Sequence, residues 1–287
     1  MSFSRPKLFL LATLVIGFLS TASLHAAQKY ELKYKFAMGD VLRYQVKHEA
    51  NVSTTLEETT QDVESVSDSV KAWKVTDVLP NGEIEFMHVV ESIKMTNRQP
   101  QKGVAKYDST KDKNPPAIFQ QAASAVGVPL TLVRIKPSGE IVQREEKHPQ
   151  PKVTEDMPIT LQLPKKPIAV GGKWDRDYQF TMERKNGGKM KVQTRRLCKL
   201  VSVKSGVATI EVTYQVLTPI EPYIESLLLE RMTKGKVRFD IARGRVISQN
   251  HEVDRRVLGF AGKTSSMHYV SRLEERLIKE SKKVARR

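Results

Sequence analysis

The sequence predicts a mainly β protein in which two copies of a β-β-β-α-β-β unit form one large, curved antiparallel sheet, a half-barrel, with two short helices. Three observations predict it. Apolar residues alternate with polar ones at period two, most clearly from Ala208 to Val216, where Ala208, Ile210, Val212, Tyr214 and Val216 interleave with Thr209, Glu211, Thr213 and Gln215. That period puts one face on a core and the other in water. Glycine-bearing turns separate such stretches, and the order of signals in the first half recurs in the second. A two-sheet sandwich is the alternative packing of the same strands.

The chain opens with Arg5 and Lys7, then an apolar run from Leu8 to Leu19, then small residues around Ser20-Thr21-Ala22-Ser23. This order is that of a secretory signal, with cleavage expected after Ala26. The apolar run is shorter than the roughly 20 residues of a membrane span; a retained anchor is the alternative. No cysteine near the cleavage point would accept a lipid. Cleavage would remove two cations and no acid, taking the net charge from +16 to +14.

In the mature chain Tyr30, Leu32, Tyr34 and Phe36 alternate as a strand. Gly39-Asp40-Val41-Leu42 then opens the first unit, and Gly172-Lys173-Trp174-Asp175 opens the second. Trp73-Lys74-Val75 with a turn at Pro80-Asn81-Gly82 corresponds to Leu197-Cys198-Lys199-Leu200 with a turn at Lys204-Ser205-Gly206. Proline-led helical segments follow at Pro116-Ala117-Ile118-Phe119 and Pro222-Tyr223-Ile224-Glu225, each read as closed by a glycine, Gly127 and Gly235. Ile224, Leu227 and Leu228 form an apolar stripe at helical spacing. Two strands around Gly139 and Gly244 end each unit. Asn186-Gly187 predicts a type I′ hairpin between Tyr178/Phe180/Met182 and Met190/Val192. Met267, Tyr269, Ser271, Leu273 and Leu277 give a weaker alternation near the end.

The boundaries that follow are a leader at 1–26, a first unit at 27–150, a linker at 151–170, a second unit at 171–278 and a basic tail at 279–287. The stretches 97–115 and 143–167, rich in Lys, Pro, Gln and Asp, read as loops. The two units together are expected to form one domain.

A curved sheet with helices across its mouth resembles the half-barrel of bacterial lipoprotein carriers. A second resemblance rests on Leu163-Pro164-x-x-Pro167-Ile168-x-Val170-Gly171-x-x-Trp174, on Tyr107-Asp108-Ser109, and on Pro129-Leu130-Thr131-Leu132 before Pro137-Ser138-Gly139-Glu140-Ile141-Val142. These residues are similar to an uncharacterised family of exported bacterial proteins of planctomycete and Bacteroidetes type. The resemblance spans roughly residues 30–260, and it implies a β-rich fold and an exported location, with no site residue.

Signals for chemistry are sparse. The histidines His48, His88, His148, His251 and His268 show no metal-ligand spacing, and neither a Gly-x-Ser-x-Gly elbow nor a phosphate-binding loop is present. His88 alternates with Ile84, Phe86 and Val90 and reads as a hydrogen-bonded core histidine. Cys198 reads as a small apolar packing group. Glu57-Glu58, Glu145-Glu146 and Glu274-Glu275 read as solvated charge, and Arg195-Arg196 as part of a basic surface. Export places nucleic acid out of reach, so the basic excess points to an anionic envelope surface. The expectation is a non-enzymatic envelope protein, without cofactor, metal or catalytic residues, holding an apolar or amphipathic ligand such as lipid. Phe119, Leu227 and Leu228 are its candidate ligand-lining residues. The alternatives are a module that binds an anionic envelope polymer or surface through its basic face, and an enzyme with a dispersed site.

Overall fold

A computed structural model describes residues 28–149 and 159–278. The predicted leader, the basic tail and residues 150–158 of the linker region lie outside the described residues. The elements are β1 (Lys29–Tyr30), β2 (Val41–Leu56), β3 (Thr59–Val78), β4 (Ile84–Gln99), β5 (Gly103–Asp108), α1 (Gln120–Ser124), β6 (Pro129–Ile135) and β7 (Ile141–Glu146). They continue as β8 (Ile168–Ala169), β9 (Lys173–Glu183), β10 (Lys189–Lys204), β11 (Val207–Val216), α2 (Pro222–Leu228), β12 (Lys234–Asp240), β13 (Arg245–Leu258) and β14 (Ser266–Leu277). A 3-10 turn precedes α1 at Ala117–Phe119, and another follows α2 at Leu229–Arg231.

Twelve strands make one antiparallel sheet in the order β7-β6-β4-β3-β2-β14-β13-β12-β11-β10-β9, with β5 alongside β4. The two units carry the same connections. A three-stranded meander (β2-β3-β4, β9-β10-β11) leads into a helix, and the next strand returns beside the third (β6 on β4, β12 on β11). A final hairpin strand, β7 or β13, closes each unit. Even the entry strands correspond: β1 and β8 pair with each other in a separate two-stranded sheet. The second unit has one extra strand, β14, which pairs with β2 and welds the units into a single sheet.

The sheet is strongly curved. Val133 and Ile135 of β6 share one core with Cys198 and Leu200 of β10, although eight strand positions separate them. In a flat sheet that separation would be about 38 Å at the usual strand spacing. Curling brings both ends around a common interior, as burial of the apolar faces requires. Among the described residues no strand joins β7 to β9, so the sheet is not closed into a barrel.

The core end is sealed by two extended segments. Residues 31–36 bury Leu32, Tyr34 and Phe36 and expose the residues between, as their alternation predicts. They are a crossing segment rather than a sheet strand: the Tyr34 N–H donates to the Pro137 carbonyl (2.7 Å) and the Lys35 N–H to Gly244 (3.0 Å), the turns of the two equivalent hairpins. A Cβ at Gly139 would lie 2.6 Å from the Tyr34 ring, and one at Gly244 2.5 Å from the Lys35 nitrogen. Only glycine at these two turns admits the segment so closely.

The second seal comes from the expected loop 143–167, whose first residues belong to β7 and whose described end is buried rather than exposed. Thr160, Leu161 and Leu163 are buried. Leu163 N–H donates to the Ser138 carbonyl (2.7 Å), Thr160 Oγ1 to Gly139 (2.6 Å), and the Trp174 indole to Gln162 (2.9 Å). The segment thereby ties the β6–β7 turn to β9 across the open seam. The other expected loop, 97–115, contains β5 in a hairpin with β4.

Two turn readings also change. Gly187 has φ 80° but Asn186 is not in the left-handed region, and Arg184 and Gly188 pair around three residues. This is the type I turn with a glycine bulge, not type I′. Gly235 does not close a helix; it lies inside β12.

Candidate functional site

Above the apolar floor, the interior of the half-barrel holds a cavity of about 440 Å³. Tyr34, Trp73, Leu161, Val212, Val237 and Val246 form its apolar wall. Trp73 stacks on Phe86 with ring centroids 4.7 Å apart, which fixes the floor. The roof is α2 and its 3-10 extension. Ile224 and Leu228 pack on Tyr178, Phe180, Met182 and Val192 of β9 and β10, while Leu229 packs on Val253, Val257 and Tyr269 of β13 and β14. The helix therefore spans the mouth between two walls, and Glu230 and Thr233 reach the cavity from its end. Pro222 in its first turn and Glu225 near its N-terminus suit a short helix that lacks a side-chain cap.

The remaining wall is polar, and strand parity explains how. Inward positions of β10 are Arg196, Cys198 and Leu200; those of β2 are Tyr44, Val46 and His48; those of β14 are Tyr269, Ser271, Leu273, Glu275 and Leu277. Arg195 points outward, donating to both Asp177 oxygens at 2.6 and 3.0 Å, whereas Arg196 turns inward. The reading of Arg195-Arg196 as a basic surface run is thus half corrected.

Glu275 corrects the reading of Glu274-Glu275 as solvated charge. Its side chain is 5% exposed and pairs with Lys71 Nζ at 2.6 Å. That ammonium lies 5.5 Å from the ring centroids of both Tyr44 and Trp73. Arg196 has no carboxylate partner among the described residues. Its Nε donates to the Tyr214 hydroxyl, and its guanidinium lies over the Tyr214 and Tyr178 rings at 4.9 and 5.4 Å. Burial disfavours its charge, but the tyrosines outweigh that and hold the proton more firmly than usual.

Three histidines line this wall, His48, His88 and His251. Burial, with Lys71 and Arg144 nearby, lowers His88 to about 4; burial and Arg196 lower His251 to about 4. Both are neutral at pH 7. His88 makes no hydrogen bond among the described residues, so it is a cavity-wall group and not the hydrogen-bonded core residue expected. His48 Nε2 lies 2.8 Å from Ser271 Oγ. Gly235 makes room for His251: a Cβ there would sit 2.5 Å from the imidazole Nδ1 and 2.1 Å from the Asn250 carbonyl. Among the described residues no group of three His, Cys, Asp or Glu is placed to hold a metal ion.

The predicted ligand-lining residues lie elsewhere. Phe119 is buried in a stack with Tyr107, centroids 6.4 Å apart, away from the cavity. Leu228 is fully buried in the helix–sheet contact. Leu227 is 43% exposed, so the apolar stripe is Ile224 and Leu228 alone. Cys198 is buried as expected, and burial pushes its thiol up to about 11. Parity was the signal that could have found the true wall, because the alternation Tyr269, Ser271, Leu273 continues through Glu275 to Leu277.

Fold and cavity together define an open antiparallel half-barrel with a helix-roofed, polar-walled interior. No family model and no curated protein matches the chain. Among solved structures, one of lipovitellin, titled for its lipid–protein interactions, is similar at 12% identity and a TM-score of 0.45, over 85% of this chain and 26% of that one. The chain thus spans about a quarter of the lipovitellin chain's length. The DynF protein of dynemicin biosynthesis in Micromonospora chersina is similar at 7% identity and a TM-score of 0.22, over 88% of this chain and 92% of that one. Likenesses this distant assign no function. Among the described residues no helix is long and apolar enough to cross a membrane.

Proposed function

We propose that this is an exported, non-enzymatic binding protein that carries a single-tailed amphiphile inside its half-barrel. The observation that carries the reading is the roofed cavity of about 440 Å³, apolar at its floor and polar along its wall. Small-molecule sites run from roughly 300 to 1,000 Å³ and combine an apolar lining with a few placed polar groups. A volume in the lower part of that range suits one tail. Export is proposed from the basic, apolar, small-residue order of residues 1–26.

The test is titration of the full mature chain with pyrene-decanol, a neutral single-tailed probe. Saturable one-to-one binding is expected, weakened at least about tenfold, or 1.4 kcal/mol, by Val212→Phe or Thr233→Phe, which fill the cavity. Absence of saturable binding, or equal binding by both filled variants, refutes the reading. Probe uptake that needs anionic vesicles and vanishes with salt would favour the basic-surface module instead.

A hydrolytic reading has one observation behind it, the 2.8 Å contact between His48 and Ser271. That is nucleophile–base reach, but no carboxylate orients His48 among the described residues. Release of nitrophenol from p-nitrophenyl hexanoate, abolished by Ser271→Ala, would establish it.

A further inference from the structure

We infer that the cavity is built to hold the anionic head of the amphiphile, a carboxylate or a phosphate, on the Arg196 guanidinium, with the Trp73 indole N–H and the Tyr214 hydroxyl as flanking groups. The inference rests on the carrier reading above and names the head group that reading leaves open.

Two independent observations carry it. The first is charge. Among the inward cations, Lys71 is neutralised by Glu275, whereas Arg196 has no carboxylate. Glu230, the other acid on the wall, is exposed at the roof and makes no ion pair with it among the described residues. A guanidinium inside the barrel loses solvation, and the two tyrosine rings and the Tyr214 hydroxyl compensate that loss without neutralising its charge. Its Nε is used on Tyr214, which leaves the paired terminal nitrogens as donors in the fork that matches two oxygens of a carboxylate or phosphate.

The second is an orphan donor. Trp73 is 3% exposed, lines the same cavity, and its Nε1 has no hydrogen-bond partner among the described residues. Buried indole N–H groups almost always find one. An acceptor in the cavity would supply it. The Tyr34 hydroxyl is turned to the floor, where it donates to the Leu161 carbonyl at 3.1 Å. The apolar residues Val212, Val237 and Leu161 are left for the tail.

The experiment compares oleate, oleyl phosphate and oleyl alcohol as competitors of pyrene-decanol on the full mature chain. At least one of the two anions should bind about tenfold to a hundredfold tighter than the alcohol, the range of a charge-assisted hydrogen-bond pair. Which anion wins identifies the head group. In Arg196→Met the ratio of anion to alcohol affinity should collapse to about one. Trp73→Phe should narrow it by several fold. If the alcohol binds as well as both anions in the unaltered protein, the head-group inference is overturned while the carrier stands. If pyrene-decanol itself shows no saturable binding, both fail; if it binds and none of the three displaces it, the head-group inference alone is overturned.

Discussion

Replacing Glu275 by glutamine leaves the Lys71 ammonium inside the barrel without its carboxylate. The pair is tight, 2.6 Å, with side-chain exposures of 18% for Lys71 and 5% for Glu275. Breaking a buried pair from one side costs about 3–5 kcal/mol, since the surviving charge stays desolvated. Two features reduce that here. Lys71 retains some solvent, and it keeps the faces of Tyr44 and Trp73, worth about 0.5–2 kcal/mol together. The expected cost of Glu275→Gln is therefore about 2–3 kcal/mol. Lys71→Met should cost a similar amount, by stranding Glu275. The double variant Lys71→Met with Glu275→Gln should recover most of the loss, because it leaves no unpaired charge in that wall. Urea unfolding of all four proteins by far-ultraviolet circular dichroism gives the cycle. A coupling of about 3–4 kcal/mol is expected, since two losses of about 2–3 kcal/mol each shrink to about 1–2 in the double variant. Additive single losses, or a Glu275→Gln cost under about 0.5 kcal/mol, would show a pair solvated as if on the surface and would refute the burial of this wall.

Stability should fall in mild acid. His88 and His251 each have a native value of about 4, below the ordinary 6.5. The unfolded chain therefore takes up protons first, so this stability is complete above pH 6.5 and is lost as pH falls from 6.5 towards 4. Each histidine contributes on the order of 2–3 kcal/mol, and His88→Phe should flatten the unfolding profile across that window. Gly235→Ala forces a methyl against the Asn250 carbonyl and His251, with an expected cost of about 1–3 kcal/mol in chemical denaturation. Leu228→Ala should cost about 2–5 kcal/mol, while Leu227→Ser stays within about 0.5 kcal/mol. Equal losses at 227 and 228 would place the helix the other way round on the sheet.

Much of the architecture was legible locally. The period-two stretches became strands, the proline-led segments became the two helices, and the matched order of turns became two units with the same connections. These features depend on a few neighbouring residues: side chains alternate across a strand, and glycine marks the turns. The N-terminal alternation of Leu32, Tyr34 and Phe36 was right about burial and wrong about pairing, since alternation reports a buried face and not which backbone lies alongside.

The site was legible only as parity. The sequence shows that Arg196 shares a face with Cys198 and Leu200, and that Glu275 follows Ser271 and Leu273, but polar residues at those positions read as solvent-facing. Tertiary structure alone decided otherwise. Lys71 meets Glu275, and His48 meets Ser271 across 223 residues of chain, because β14 closes onto β2 and the sheet curls until its polar inner stretches face one another. Helix α2 roofs that space because Ile224, Leu228 and Leu229 find apolar partners on both walls. Local pattern determined which residues share a face; curvature, set by the need to bury distant apolar faces together, decided that this face encloses a charged cavity.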